Sequence, residues 1–293
     1  MKTEKIITSI TAVFIAAALF LSACQKDAAT TQTLVPAGKQ NVSIYMNDDP
    51  ANYYKVLVDI QQVEVKIDTG SYSHDDDFYE DDDDNDDDNN GHDRYGQWDT
   101  LNVKPGVYDL LQLRNGVDTL IASGFPLAGK IGKIRITLGN NSTVFTNSTT
   151  SFPLLICNNK RYAYVKTRSN AIDTLPGGII KLRIDFDIAK SIKYKDGAYC
   201  LKPNIKAYSD KNTGSIEGKI YPKDAMANVM VFNNTDTAYA MPWQEGKYKI
   251  KGLKEGIYAI KFTAVLPYLD TTITGIIVNR GMETKVENTI LRK

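Results

Sequence analysis

The chain has 293 residues, of which 42% are hydrophobic, and 35 Lys and Arg residues balance 35 Asp and Glu residues. This length suits one or two domains with sizeable hydrophobic cores. The charges are segregated: 12 acidic residues and no Lys or Arg lie between Asp75 and Asp93. Because the remaining basic residues lack the arginine clusters and interleaved aromatic residues of a nucleic-acid site, the composition excludes nucleic acid as a partner.

The first 23 residues have the layout of a secretory signal. Lys2 and Lys5 form a short positive segment, residues 6–21 are mostly apolar, and small residues precede Cys24. The alternative is a transmembrane helix, since no charge lies between Lys5 and Lys26 and about 20 apolar residues can cross a bilayer. The small residues next to the cysteine and the absence of a positive stop-transfer cluster favour the signal peptide.

The end of this signal, Leu21-Ser22-Ala23-Cys24, resembles a bacterial lipobox. The resemblance implies a lipid on Cys24, a mature chain that begins there, and a membrane anchor that does not span the bilayer. Lys26-Asp27 matches in part the signal that sends lipoproteins of one Gram-negative phylum to the cell surface, so we expect the outer face of the outer membrane. The periplasmic face is the alternative. Residues 24–40 have no apolar periodicity, which predicts a flexible tether.

From Asn41 onward, apolar and polar residues alternate with a period of two, which is typical of antiparallel strands with one wet face. The alternation changes parity at Gln61-Gln62, which predicts a bulge. Asp185 and Asp187 alternate with apolar residues and are predicted on the outer, solvated face of a strand. A short turn of helix is expected near residues 188–192. The fold class predicted is all-β, with two antiparallel β-sandwich domains.

Residues 41–208 contain a series of distinctive motifs: Val42-Ser43-Ile44-Tyr45-Met46-Asn47-Asp48 with Pro50, the strand 56–66, Trp98 with Leu101, Gly106-Val107-Tyr108-Asp109-Leu110-Leu111-Gln112-Leu113, Gly116-Val117-Asp118-Thr119-Leu120, Gly129-Lys130-Ile131, Arg135-Ile136-Thr137-Leu138-Gly139 and Leu201-Lys202-Pro203-Asn204-Ile205. With these motifs the segment resembles domain-of-unknown-function family 4382. The family has no established activity. The resemblance therefore implies a β-rich domain and supplies no site residues.

The alternating pattern restarts after Thr213. Residues 213–293 contain Gly214-Ser215-Ile216-Glu217-Gly218, Val229-Met230-Val231, Gly246-Lys247-Tyr248 and Gly256-Ile257-Tyr258. This segment is similar to carboxypeptidase regulatory-like domains, which are small transthyretin-type sandwiches grouped with carbohydrate-binding-like folds. Independently of the family, Tyr258, Ile260 and Phe262 are predicted to face a core between two sheets. Such modules carry no peptidase site.

The acidic segment 75–93 is predicted to be a loop of the first domain. Asp86, Asp88, Asn90 and Gly91 fit positions 1, 3, 5 and 6 of a calcium loop. Position 12 is Gln97, so the bidentate carboxylate is missing. A weak Ca²⁺ site is one interpretation, and a solvated, mutually repelling loop is the other. No other cofactor is expected.

The two cysteines other than Cys24 are Cys157 and Cys200. In an oxidising compartment they could form a disulfide that closes a long loop. The alternative is two separate buried thiols in strand interiors, because spacing alone does not show that two strands are neighbours.

No catalytic constellation is visible in the sequence. The only histidines, His74 and His92, flank the acidic segment and have no metal-ligand spacing, and no nucleophile elbow or phosphate loop is present. Trp98, Trp243 and the 17 tyrosines could stack on sugars or simply pack in the sheets. We therefore predict a non-catalytic envelope protein that binds a glycan or a partner protein. A structural or assembly subunit of the envelope is the alternative.

Overall fold

A computed structural model describes residues 34–49, 53–69, 96–243 and 245–293. These ranges are built mainly from β-strands, with one α-helical turn, α1 (Ile188–Ser191), and short 3-10 helices at Leu110–Leu113, Cys157–Asn159, Ser169–Ala171 and Lys223–Ala225. The all-β prediction is confirmed, as is the predicted turn of helix near residue 188. None of the helices in this part of the chain is long and apolar enough to cross a membrane.

The first sheet has six strands. In spatial order they are β11 (Ile172–Thr174), β12 (Ile179–Asp187), β1 (Asn41–Asp49), β6 (Thr119–Gly124) and β4 (Asn102–Val103), and β15 (Ile205–Tyr208) also pairs with β12. Strands β1 and β12 are parallel, and the other pairs of this sheet are antiparallel. Alternation does not predict this parallel pair, because it indicates the buried face of a strand and not its direction.

The second sheet has nine strands. In spatial order they are β10 (Tyr162–Lys166), β7 (Lys130–Leu138), β2 (Lys55–Asp68), β8 (Thr143–Phe145), β9 (Ser151–Ile156), β14 (Ala198–Leu201) and β13 (Ile192–Lys195); β3 (Gln97–Thr100) and β5 (Gly106–Asp109) also pair with β2. The register of β2 against β7 shifts between Ile60 and Gln62. The bulge predicted from the change of parity is therefore confirmed, and it keeps both apolar halves of β2 buried.

A hydrophobic core lies between these two sheets. Ile44 from β1 and Leu182 from β12 meet Ile60 from β2 and Ile134 from β7, and all four side chains are fully buried. We call β1 to β15 the N-terminal lobe.

The remaining strands form a second sandwich of two four-stranded sheets. One sheet contains β19 (Lys247–Leu253), β16 (Gly214–Tyr221), β22 (Glu283–Lys285) and β23 (Thr289–Ile290), and the other contains β18 (Thr237–Ala240), β17 (Asn228–Phe232), β20 (Gly256–Thr263) and β21 (Thr271–Val278). Tyr258, Ile260 and Phe262 face a separate hydrophobic core, as predicted. We call β16 to β23 the C-terminal lobe.

Cys157 and Cys200 are joined by a disulfide with an S–S distance of 2.03 Å. Cys157 follows β9, and Cys200 lies in β14, which pairs with β9 in parallel. This parallel pair brings the cysteines together across 43 residues of sequence. Their spacing in the sequence left the pairing open, because it does not indicate that β9 and β14 are neighbours.

Candidate binding cleft

A cleft of about 1300 Å³ lies where the two lobes meet. The lobes belong to one compact unit that spans residues 35–293. One wall comes from β10, β15 and the segment 209–213 of the N-terminal lobe, and the other comes from turns 233–237 and 251–255 of the C-terminal lobe. Junctions between domains are frequent ligand sites because two surfaces supply contacts to one molecule.

Basic side chains predominate in the lining of the cleft. Eight basic residues contribute to it, against three acidic ones, Asp185, Asp236 and Glu255. The basic residues are Lys133, Lys166, Arg168, Lys190, Lys206, Lys251, Lys254 and Arg280. Several of these cations are paired with carboxylates: Lys190 with Asp187, Lys251 with Asp118 and Arg280 with Glu255.

Asparagine, serine and threonine side chains fill much of the remaining lining. They are Asn170, Asn212, Asn233, Asn234, Ser209, Thr213, Thr235 and Thr237. The Asn233 carboxamide accepts hydrogen bonds from the backbone N–H groups of Thr235 (2.9 Å) and Asp236 (2.8 Å), which fixes the turn on the C-terminal wall. The Asn212 amide donates to the Asn170 carbonyl at 2.9 Å and orders the opposite wall.

A hydrogen-bond chain runs beneath the cleft. The Tyr208 hydroxyl donates to Asn47 Oδ1 at 2.9 Å, and Asn47 Nδ2 donates to Asp185 Oδ1 at 3.1 Å. Burial raises the pKa of Asp185, Lys206 directly opposite on β15 lowers it and Asp187 raises it, and the net result is a pKa of about 7. Asp185 is therefore a carboxyl group that takes up a proton near neutral pH.

The lobes are joined beside the cleft by the Asp118 carboxylate. It accepts hydrogen bonds from Arg183 Nε at 3.1 Å and from Lys251 Nζ at 3.2 Å. Arg183 Nη1 also lies 2.5 Å from Asp210 Oδ2 and 3.6 Å from Asp173 Oδ2. Burial alone would lower the pKa of Arg183, but the Asp118 hydrogen bond and the Asp210 charge raise it. We call Asp118, Asp173, Arg183, Asp210 and Lys251 the junction cluster.

A hydrogen bond and a cation–π contact extend the same junction. Asn115 Nδ2 donates to the Met241 carbonyl at 2.6 Å, and the Arg114 guanidinium lies 5.0 Å from the centre of the Trp243 ring. Gly252 has a φ of +73°, and a Cβ added there would lie 3.3 Å from the Tyr208 ring. Close approach of the two lobes at this point therefore depends on glycine.

The outer face of β12 is less exposed than its alternation predicted. Asp187 is fully buried, Arg183 is 8% exposed and Asp185 is half-buried. The expectation of a solvated face is wrong for two physical reasons. The junction cluster covers Arg183, and Asp187 caps α1 by accepting the backbone N–H of Lys190 at 2.9 Å.

Trp98 lies on the outer face of the second sheet. The Arg135 guanidinium stacks 4.3 Å from the Trp98 ring centre and 5.3 Å from that of Tyr162, and it forms a bidentate pair with Glu64 at 2.6 and 2.8 Å. An arginine thus occupies one face of the Trp98 ring, and Arg114 does the same at Trp243. These contacts favour structural roles for both indoles and direct the search for a ligand site to the cleft.

The predicted lipidation site Cys24 and the calcium-loop candidates Asp86, Asp88 and Asn90 lie outside the described residues, as do the histidines His74 and His92. In the described part of the chain, no group of three or more His, Cys, Asp or Glu side chains is placed to hold a metal ion. The junction cluster was missed by sequence reasoning, since Asp118, Arg183 and Lys251 are far apart in the chain.

A family model described as a domain of unknown function (DUF4382) matches residues 39–203. No curated protein matches the chain. Among solved structures, the chain is similar to a cohesin–X-dockerin complex of Acetivibrio cellulolyticus (21% identity, TM-score 0.23, covering 27% of this chain and 56% of that one). It is also similar to the Bacillus anthracis TIE protein (11% identity, TM-score 0.22, covering 83% of this chain and 35% of that one). A third similar structure is the shaft pilin SpaA of Lactobacillus rhamnosus GG (8% identity, TM-score 0.22, covering 86% of this chain and 97% of that one). The chain thus spans about half the length of the cohesin–X-dockerin chain and about a third of the length of the TIE protein. TM-scores this low carry no functional inference.

The junction cluster predicts a loss of stability on substitution of Asp118. Asp118→Asn removes the charge that Arg183 and Lys251 share, so we expect the free energy of unfolding to fall by about 2 kcal/mol. Urea denaturation measures this change. Asp270→Asn is the matched control, because Asp270 and Lys261 form an exposed pair at 3.5 Å that is worth less than about 1 kcal/mol. Equal losses in the two variants would contradict the structural role of Asp118.

The raised pKa of Asp185 predicts a pH-dependent stability. The ordinary value is 3.8 and the folded value is about 7, so the folded state holds the proton more strongly. The tighter proton binding by Asp185 stabilises the folded state; this stabilisation is fully present below about pH 4 and is lost as the pH rises to about 7. Asp185→Asn is neutral throughout, so its free energy of unfolding should rise relative to that of the wild type between pH 4 and pH 7. A difference that is constant over this range would contradict the raised pKa.

Proposed function

The chain belongs to the DUF4382 family, whose description names no function, and from the cleft and the N-terminal motif we propose that it is a lipid-anchored, non-catalytic envelope protein that binds a glycan between its lobes. The proposal treats residues 41–208 as the family domain and residues 213–293 as a carboxypeptidase regulatory-like module. It locates the protein on the outer membrane, facing the cell exterior.

The observation that carries the proposal is the composition of the cleft. Four of its lining side chains are asparagines contributed by both lobes, and a carboxamide matches the hydroxyl pattern of a sugar ring because it can both donate and accept. Its volume of about 1300 Å³ exceeds the 300–1,000 Å³ that is typical of small-molecule pockets. A ligand of several sugar units fits these dimensions better than a single small metabolite.

Export is supported by two independent features. The sequence Leu21-Ser22-Ala23-Cys24 provides the lipid attachment site, and two or three acyl chains exceed what stable anchoring requires. The disulfide between Cys157 and Cys200 fits an oxidising compartment such as the periplasm or the cell surface, since cytosolic thiols are kept reduced.

A second candidate function, assembly with other envelope proteins, is favoured by strand β21. In the described part of the chain β21 pairs only with β20 and ends its sheet. Ile277 on β21 and its cross-strand neighbour Ile257 are 58% and 67% exposed. An exposed edge beside apolar side chains can accept a strand from another chain. Co-purification of a stoichiometric envelope partner that is lost in Ile257→Lys/Ile277→Lys would support this candidate.

The anchor predicts a change of location. Cys24→Ser removes the thiol to which the lipid would be attached, so the protein should move from the membrane fraction to the soluble fraction and lose incorporation of labelled fatty acid. Ser22→Ala keeps a small residue before the cysteine and should leave both properties unchanged. Protease treatment of intact cells then tests on which face of the outer membrane the two lobes lie. Lobes on the cell surface are cleaved, whereas lobes in the periplasm are protected. Membrane association that persists in Cys24→Ser would contradict the anchor.

Glycan binding is tested on an array and then by calorimetry. Asn170→Ala/Asn234→Ala removes one amide from each wall, and at about 1 kcal/mol per hydrogen bond we expect roughly 30-fold weaker affinity for the best glycan. Asn140→Ala, an exposed asparagine outside the cleft lining, is the control. Failure of every glycan to bind would refute this function. Turnover of a glycan that is abolished by Asp185→Asn would instead make the protein an enzyme.

A further inference from the structure

We infer that the protein has a second saccharide-binding surface, an aromatic strip on the second sheet that takes a neutral saccharide. The aromatic strip consists of Tyr53, Phe152, Tyr194 and Tyr199, and none of these residues lines the cleft. The inference rests on the proposed glycan-binding function and adds a surface where aromatic rings, and not amides, make the main contacts.

The four rings of the aromatic strip form one connected group around Tyr199. Its ring centre lies 4.7 Å from that of Tyr194, 5.3 Å from that of Phe152 and 6.2 Å from that of Tyr53. Tyr194 on β13 is the direct cross-strand partner of Tyr199 on β14, and Phe152 lies on the next strand, β9. Backbone pairing of three adjacent strands therefore sets the positions of three of the rings.

The aromatic strip is accessible to solvent. Tyr199 is half-buried, Phe152 is 38% exposed and Tyr194, on the edge strand β13, is 65% exposed. Single exposed aromatic residues are normal on a protein surface, but rings that contact one another and stay in water form a contiguous patch, and such patches mark binding surfaces.

The face of the sheet that carries the strip has no charged side chain on these three strands. Register and alternation place only apolar and aromatic residues of β9, β13 and β14 on it: Phe152, Leu154, Ile156, Ile192, Tyr194, Tyr199 and Leu201. Lys193 and Lys195 alternate with Tyr194 along β13 and lie on the opposite face. These strands therefore offer a charged ligand no ion pair on this face, which favours a neutral one.

The chemistry of the rings suits a saccharide. The C–H groups on one face of a pyranose ring carry partial positive charge, and the face of an aromatic ring is negative. The tyrosine hydroxyls can also donate to and accept from sugar hydroxyls. The planes of the Phe152 and Tyr194 rings are tilted by 46° and 49° to that of Tyr199, so a single glycan chain fits better than the flat surface of a crystalline polysaccharide.

The strands beneath the strip are covalently linked. The disulfide between Cys157 and Cys200 connects the end of β9, which carries Phe152, to β14, which carries Tyr199. A ligand that lies on rings held in this way loses less binding free energy to the ordering of the protein.

The test is calorimetry on the purified protein, with oligosaccharides of β-linked glucose as the neutral probe and polygalacturonate as the charged probe. The cleft variant Asn170→Ala/Asn234→Ala is the background, so that the remaining binding reports the aromatic strip. We expect this background to bind the neutral probe, and the addition of Phe152→Ala/Tyr194→Ala to weaken that binding about tenfold, or about 1.4 kcal/mol. Phe152→Tyr/Tyr194→Phe keeps both rings and should leave the affinity unchanged.

Leu155→Ala is the matched control, because Leu155 is 57% exposed and lies on the opposite face of β9. Equal weakening in this control, or tighter binding of polygalacturonate than of the neutral probe, would overturn the inference. Self-association of the wild type that is lost in Phe152→Ala/Tyr194→Ala would assign the strip to a contact between copies and would overturn it too.

Failure of the inference and failure of the proposed function give different results. If the wild type binds a glycan and the cleft variant does not, the aromatic strip binds no saccharide and the function of the cleft stands. If the wild type binds no glycan, both fail.

Discussion

The arrangement of the two lobes depends on the hydrogen bonds that the Asp118 carboxylate accepts. It receives hydrogen bonds from Arg183 of one lobe and Lys251 of the other, at a site where the side chains are only 9–18% exposed. Removing charges from water costs free energy, and only complete pairing offsets it. A small rotation of either lobe would leave a partly buried charge without a partner. The cluster therefore selects one relative position of the lobes more strongly than it stabilises the fold.

This fixed position determines the shape of the cleft. Tyr208 and Lys251 belong both to the junction and to the cleft lining, so the walls are held by the same contacts that join the lobes. A ligand that enters a preformed cleft does not have to order its walls, and less of the binding free energy is lost to conformational entropy. The turn held by Asn233 and the loop held by Asn212 add to this preorganisation.

The sequence predicted the individual strands well because alternation depends on local burial. Val42, Ile44 and Met46 are all fully buried, and the parity change at Gln61-Gln62 located the bulge in β2. Alternation carries no information on strand order or direction, so the parallel pair of β1 with β12 and the neighbourhood of Cys157 and Cys200 required the structure. The junction cluster could not be predicted from the sequence for a related reason. Arg183 has the pattern of an exposed strand residue, and its burial results from contacts with Asp118 and Asp210, which are 65 and 27 positions away in the sequence.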